Sequence, residues 1–87
     1  MLTNTKYLAM NAFKVSVTLA TGLVDLTIKP LIKESDPFSC YYTIVMDNFD
    51  FTVIRKTDNE KWENVQGHVL NAHELKAVSD KIEVYHL

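Results

Sequence analysis

A catalytic or metal-binding site in this chain would have to be built from three histidines, one cysteine and eleven carboxylates. His68, His73 and His86 lack the i,i+4 spacing that presents two imidazoles from one helix, and no Cys-x-x-Cys pair accompanies them. A metal site from His68, His73 and an acidic neighbour is the alternative to surface histidines, and no motif supports it. We therefore predict no metal, no cofactor and no catalytic residue.

Cys40 is the only cysteine, so no disulfide can form within the chain. It lies between Phe38 and Tyr42 in an alternating apolar segment, which predicts an inward-facing small hydrophobe and not a nucleophile. The chain also lacks glycine-rich phosphate loops, Gly-x-Ser-x-Gly and His-Glu-x-x-His. The sequence therefore favours a protein that is not an enzyme, although many enzymes carry no short motif.

Composition limits the class of protein. A length of 87 residues predicts a single domain over 1–87, and 47% hydrophobic with 23% charged residues is typical of a globular protein. Because the net charge is −2 and the basic residues are scattered, nucleic acid is not an expected partner. No apolar run approaches the ~20 residues that span a bilayer, so we expect no membrane association and a cytoplasmic location.

The first eleven residues have the weakest pattern. Residues 1–11 are predicted to be a loosely ordered segment or a short helix capped by Thr3, Asn4 or Thr5. Met10 as the true first residue is an alternative.

Residues 38–56 organise the rest of the chain. Large apolar residues alternate there with polar ones on both sides of Asp47-Asn48, which predicts a long β-hairpin with a two-residue turn. Its predicted pairs are Met46 with Phe49, Ile44 with Phe51 and Tyr42 with Val53.

A second hairpin is predicted upstream, from alternation over 13–19 and 24–28 around a loop at 20–23. Its predicted pairs are Leu19 with Val24, Val17 with Leu26 and Val15 with Ile28. Pro30 should lie where the first of these strands ends, opposite Phe13 or beyond it, because proline has no N–H for a central ladder. A loop at 33–37 then pairs Leu26 with Ile44 and Val24 with Met46.

The end of the chain predicts a fifth strand and one helix. Trp62 and Val65 lie three apart, so either a bulge intervenes or one of them faces outward. Asn71 and Glu74 have capping-box spacing at the start of a helix of sixteen residues. Its apolar stripe is Leu75, Val78, Ile82 and Tyr85. The predicted fold is α+β: a four- to five-stranded antiparallel β-meander with one face covered by the C-terminal helix.

The other face of this sheet is the predicted interaction surface. Most of it is predicted to be polar and solvated, through Ser16, Thr18, Asp25, Thr27, Thr43 and Thr52. Apolar residues interrupt it in a predicted patch of Tyr41, Ile54, Val45 and Leu31, which Trp62 extends if it faces outward.

Two functions follow from these patterns. The first is a non-enzymatic interaction module that self-associates or docks a protein partner through the sheet face or an open edge. The alternative is a small-molecule-binding protein or small enzyme with a pocket between helix and sheet. That pocket would be lined by Tyr42, Met46, Phe51, Tyr85 and Trp62.

Overall fold

A computed structural model describes residues 7–9 and 11–85. The described elements are β1 (Tyr7–Ala9), β2 (Phe13–Leu19), β3 (Gly22–Lys33), β4 (Asp36–Met46), β5 (Phe49–Lys56), β6 (Trp62–Gly67) and α1 (Ala72–Tyr85). Strands β2 to β6 pair antiparallel in chain order, and β1 pairs with the far half of β3. The predicted α+β fold, a five-stranded meander followed by a C-terminal helix, is confirmed.

Pro30 explains why two strands share one side of β3. Phe13 of β2 lies opposite Ile28, and Ala9 of β1 lies opposite Leu31. Pro30 falls in the interval between them, where the missing N–H removes a ladder hydrogen bond. Of the two predicted placements of Pro30, opposite Phe13 or beyond it, the structure has the second, and β3 continues through the proline.

The N-terminal segment differs from its prediction. Tyr7–Ala9 form a strand, so the short helix predicted there is wrong. The capping positions Thr3, Asn4 and Thr5 and the alternative start at Met10 lie outside the described residues.

The hairpin formed by β2 and β3 has the predicted faces, but its register is shifted by two residues. Val17 pairs with Val24 instead of Leu26, and the loop contains only Ala20 and Thr21. Gly22 has a φ of 115°, a conformation that glycine reaches at little cost, and this closes the shorter turn. Because an even shift preserves which side chains share a face, the predicted inward set still points toward the core.

The pairing of β3 with β4 shows the same even shift and one irregular segment. Ile28, not Leu26, lies opposite Ile44, and the turn that follows β3 contains only Glu34 and Ser35. Leu31 pairs with Tyr41 and Lys33 pairs with Asp36, so four residues of β4, 37–40, face one residue of β3. Phe38 lies in this segment and is 77% exposed, so its predicted inward position is wrong.

A bulge at Phe51 changes the faces of β5. Met46 pairs with Phe49 across the predicted turn, whose residues Asp47 and Asn48 have φ values of 54° and 68°. Val45 then pairs with Asp50 and Ile44 with Thr52, leaving Phe51 as the extra residue. This odd shift reverses the later residues, so two predicted pairs are wrong: Ile44 with Phe51 and Tyr42 with Val53. The actual partners of Tyr42 and Tyr41 are Ile54 and Arg55.

The bulge also decides which hydroxyls and aromatics are buried. Thr52 was predicted to be solvated but is 2% exposed, and its Oγ1 donates toward the carbonyl oxygens of Gln66 at 3.0 Å and His68 at 2.5 Å. Phe49 is 58% exposed, contrary to its predicted core position, whereas Phe51 is half-buried and packs against the core. Cys40 also packs against the core, as predicted.

A second bulge places the residues of β6. Val53 pairs with Gln66 and Ile54 pairs with Asn64, so Val65 is the extra residue. The spacing of Trp62 and Val65 predicted such a bulge as one of two alternatives. Trp62 thereby faces the inner side, where its ring centroid lies 5.4 Å from that of Tyr42.

The helix begins with the predicted capping box. Asn71 Oδ1 accepts a hydrogen bond from the Glu74 N–H at 2.8 Å, and Glu74 Oε1 accepts one from the Asn71 N–H at 3.2 Å. The described helix has 14 residues, and the rest of the predicted helix lies outside the described residues. Val78 and Ile82 are each 1% exposed, as the predicted stripe requires.

The helix contacts both outer strands of the meander, β2 and β6. The Tyr85 ring stacks on Phe13 of β2, with centroids 3.7 Å apart. The indole Nε1 of Trp62 in β6 donates to Glu83 Oε2 at 3.1 Å. The buried core between helix and sheet contains Phe13, Val17, Leu19, Leu26, Ile28, Tyr42, Ile44, Ile54, Leu70, Val78 and Ile82.

Candidate interaction surface

The sheet face opposite α1, here called the outer face, is left uncovered by the described elements. Side chains point there because residues alternate along β2 to β6, except where the two bulges intervene. Its half-buried centre consists of Thr27, Leu31, Thr43, Val45 and Val53, with the more exposed Val65 beside it. Around this centre lie Lys14, Ser16, Thr18, Asp25, Lys29, Tyr41, Asp50, Arg55, Glu63 and Gln66.

Tyr41 is held in a polar network at one end of the outer face. Its hydroxyl donates to Asp36 Oδ2 at 2.7 Å and accepts from Arg55 Nη1 at 3.0 Å. Arg55 also donates through Nε to Glu63 Oε1 at 2.7 Å, and Lys33 Nζ lies 4.3 Å from the Tyr41 ring centroid. Because these groups cover the ring, Tyr41 is only 5% exposed.

The five residues of the predicted patch therefore separate into two sets. Leu31, Tyr41 and Val45 do lie on the outer face. Ile54 is fully buried beneath the helix, and Trp62 is half-buried on the inner side. The prediction that Ile54 belongs to the outer face is wrong, because the bulge at Phe51 turns it inward.

Sequence reasoning missed the contribution of Val53 and Val65 to the outer face. Val53 follows Phe49 and Phe51 in an unbroken alternation, and nothing in that pattern marks the bulge between them. For Val65 there was a signal, because its spacing from Trp62 is incompatible with a regular strand that buries both residues.

Two hollows mark the outer face. A hollow of about 530 Å³ lies over β3, between β2 and the β4–β5 turn. It is lined by Lys14, Val15, Ser16, Asp25, Leu26, Thr27, Val45, Asp47 and Asn48. A smaller hollow of about 180 Å³ lies beside Tyr41, between Leu31, Val53 and Val65. Both are open to solvent.

Charge is unevenly distributed over the outer face. The β2–β3 side carries two cations, Lys14 and Lys29, against one carboxylate, Asp25. Ser16 donates a hydrogen bond of 2.6 Å to that carboxylate. The β5–β6 side carries two carboxylates, Asp50 and Glu63, against one cation, Arg55. One side of the outer face is therefore net positive and the other net negative.

Among the described residues, the edge strands of the sheet are β1 and β2 on one side and β6 on the other. The seven residues of β2 pair with β3 without a register shift, so their backbone is regular. The bulge at Val65 interrupts the edge at β6, and such a bulge hinders pairing with a further strand. Of the two edges, β2 is better suited to strand addition.

A groove of about 340 Å³ runs between α1 and the start of β6. Trp62 and Leu75 line it, with Glu60, Asp80 and Glu83 at its rim. The hydrogen bond from Trp62, together with the ammonium of Lys56, lowers the pKa of Glu83. Tyr42 lies deeper, where burial raises its pKa above the usual range.

The described residues contain no group of three or more His, Cys, Asp and Glu side chains that could hold a metal ion. His68 is exposed and its ring stacks on Phe51, with centroids 4.6 Å apart. His73 is exposed on the first turn of the helix, and His86 lies outside the described residues.

The fold and this surface define an α+β domain in which a meander buries one face against a helix and leaves the other uncovered by the described elements. No family model, curated protein or solved structure matches the chain. In the part of the chain that the structure describes, no helix has the length and apolar character needed to cross a membrane.

Proposed function

We propose that this chain is a non-enzymatic interaction module that binds another protein surface through the outer face of its sheet. The observation that carries the proposal is the arrangement of that face: half-buried Leu31, Val45 and Val53 lie at its centre, and charged side chains surround them. An apolar centre within a polar rim is the usual anatomy of a protein–protein interface.

The size of the outer face supports a weak interaction. Five strands about 4.8 Å apart and about seven residues long present about 550 Å² on each partner. The total of about 1,100 Å² lies at the low end for specific complexes, which is typical of transient association.

Site-specific photo-crosslinking tests the proposal. A benzophenone amino acid replaces Thr43 at the centre of the outer face, and in a control protein it replaces Lys81, which is exposed on the helix. In cells that produce the protein, we expect crosslinked adducts from position 43 that position 81 does not give. Equal or absent adducts at the two positions would contradict an interface on the outer face.

The proposal includes a cytoplasmic location. A single cysteine leaves the domain without an internal disulfide, as is usual in a reducing compartment. Fractionation of producing cells, followed by immunodetection of the protein, tests this directly, and recovery in an oxidising compartment would contradict it.

The groove beside Trp62 favours a second candidate function, the binding of a small molecule between helix and sheet. Its volume is about 340 Å³, and its floor contains the apolar side chains of Trp62 and Leu75. A ligand bound there would stabilise the folded state by mass action, so a thermal-shift screen against metabolites is the test. A compound that raises Tm in the native protein but not in L75E would support this candidate.

A further inference from the structure

We infer that the partner of the outer face is a second copy of this chain, packed face to face about a two-fold axis parallel to the strands. This inference rests on the proposed function and specifies its partner. Its starting point is one row of residues across the sheet. Lys14 pairs with Thr27, Thr27 with Val45, and Val45 with Asp50, on four consecutive strands.

This row has opposite charges at its two ends and uncharged, half-buried side chains between them. Lys14 and Asp50 are exposed, and neither belongs to the ion pairs found among residues 11–85. The order along the row is a cation, a threonine, a valine and an anion. When a second, identical row runs in the opposite direction, each charged end faces the opposite charge. A second copy of the chain supplies that reversed row.

The direction of the two-fold axis follows from the charges. A two-fold axis parallel to the strands stacks the row of one copy on the same row of the other, with its direction reversed. Lys14 of each copy then lies over Asp50 of the other. Thr27 of each copy then lies over Val45 of the other at the centre. An axis across the strands would place the cationic sides of both copies together, and like charges opposite one another oppose association.

The same axis places Val45 of each copy over Thr27 of the other, and both residues line the hollow of about 530 Å³. Asp47 lines this hollow on the side of the β4–β5 turn, three residues before Asp50. Leu31 and Tyr41 also form a pair across β3 and β4, so the same axis brings Leu31 over Tyr41 of the second copy.

Charge-reversal variants test this arrangement. In the K14E dimer, two carboxylates meet at each of the two symmetric contacts between positions 14 and 50. In the D50K dimer, two ammonium groups meet at each of these contacts. We expect each variant alone to weaken self-association at least about fivefold, since two rim ion pairs of modest strength are reversed together. Mixing the K14E and D50K proteins restores opposite charges at both contacts, so the mixture should form a heterodimer as tight as the native dimer.

Sedimentation velocity from about 5 to about 500 µM measures self-association over the range of a weak dimer. Native mass spectrometry distinguishes the heterodimer from either homodimer in the mixture, because the variants differ in mass. The matched control is K81E, which makes the same charge change on the exposed side of the helix. It should leave self-association unchanged.

The possible outcomes separate the inference from the proposed function. Self-association that K14E and D50K weaken no more than K81E does, or a mixture that forms no heterodimer, overturns the two-fold arrangement. A protein that stays monomeric throughout the concentration range also overturns the inference. In each of these cases, crosslinking from position 43 still decides independently whether the outer face binds another protein.

Discussion

Glu74, in the first turn of α1, accepts a hydrogen bond through Oε2 from the backbone N–H of Ala20 at 3.3 Å. Ala20 lies in the turn between β2 and β3, 54 residues earlier in the chain. The other carboxylate oxygen of Glu74 accepts from the Asn71 N–H at 3.2 Å. One side chain therefore caps the helix and attaches its N-terminus to the edge of the sheet.

This relationship predicts an acid-sensitive contribution to stability. The hydrogen bonds from the backbone of Asn71 and then of Ala20 lower the pKa of Glu74 below its ordinary value of 4.5. A group whose pKa is lower in the folded state stabilises fully above its unfolded pKa and loses this contribution as the pH falls through the folded value. We therefore expect E74Q, which retains an acceptor but cannot titrate, to remove part of the decline in stability below about pH 4.5.

Urea denaturation at a series of pH values from about 3 to about 7 measures this difference. The matched control is E34Q, because Glu34 is exposed in the turn between β3 and β4. If E74Q and E34Q show the same pH dependence as each other, the proposed role of the Glu74 carboxylate is wrong.

The burial of Ile54 predicts a large loss of stability on truncation. Ile54 has no exposed surface, and I54A removes side-chain atoms from the core between sheet and helix. We expect a loss of about 2–4 kcal/mol in the free energy of unfolding, measured by urea denaturation. V65A removes apolar atoms from a residue that is 38% exposed at a bulge and should cost less than about 1 kcal/mol. A similar cost for the two variants would contradict the inward position of Ile54.

The two glycines differ in their tolerance of a side chain. Both have positive φ, 82° at Gly67 and 115° at Gly22. A Cβ at Gly67 would lie 2.8 Å from the Phe51 carbonyl oxygen and 2.9 Å from the Thr52 Cα, whereas at Gly22 no atom lies within 4 Å.

An alanine at either glycine should lower the free energy of unfolding by about 1–2 kcal/mol, because a side chain disfavours the left-handed backbone conformation. The loss should be larger in G67A, because backbone atoms of β5 must also move. Thermal and urea denaturation of G67A and G22A provide the comparison. Equal losses would show that Gly67 does not approach the β5 backbone closely.

The Asp47-Asn48 turn predicts a stabilising substitution. Both residues have positive φ, which is the requirement of the tight primed turn that joins β4 and β5. N48G relieves the cost of a side chain in this conformation, and we expect stability to be unchanged or to rise by up to about 1 kcal/mol. N48A keeps a Cβ without the polar group that helps asparagine adopt positive φ, so it should lower stability by about 1 kcal/mol. A Tm that falls in N48G and rises in N48A would exclude this turn conformation.

Much of the architecture could be predicted from short-range patterns. Asn71 and Glu74 define the helix start because a capping box involves residues only three apart. Asp47 and Asn48 mark their turn because few residues adopt positive φ. The candidate surface was predicted less completely: Leu31, Tyr41 and Val45 were placed on the outer face correctly, whereas Ile54 and Trp62 were not.

The sequence by itself determined the strands between residues 13 and 67 and which apolar side chains can share a face, because side-chain direction in a strand alternates with a period of two. Only the tertiary structure decided where that alternation is interrupted. The bulge at Phe51 depends on how β5 pairs with β4 and β6 at once, through contacts such as the hydrogen bond from the His68 N–H to the Phe51 carbonyl oxygen. One inserted residue reverses every later side chain of the strand, so a long-range backbone contact placed Ile54 in the core and Val53 on the open face.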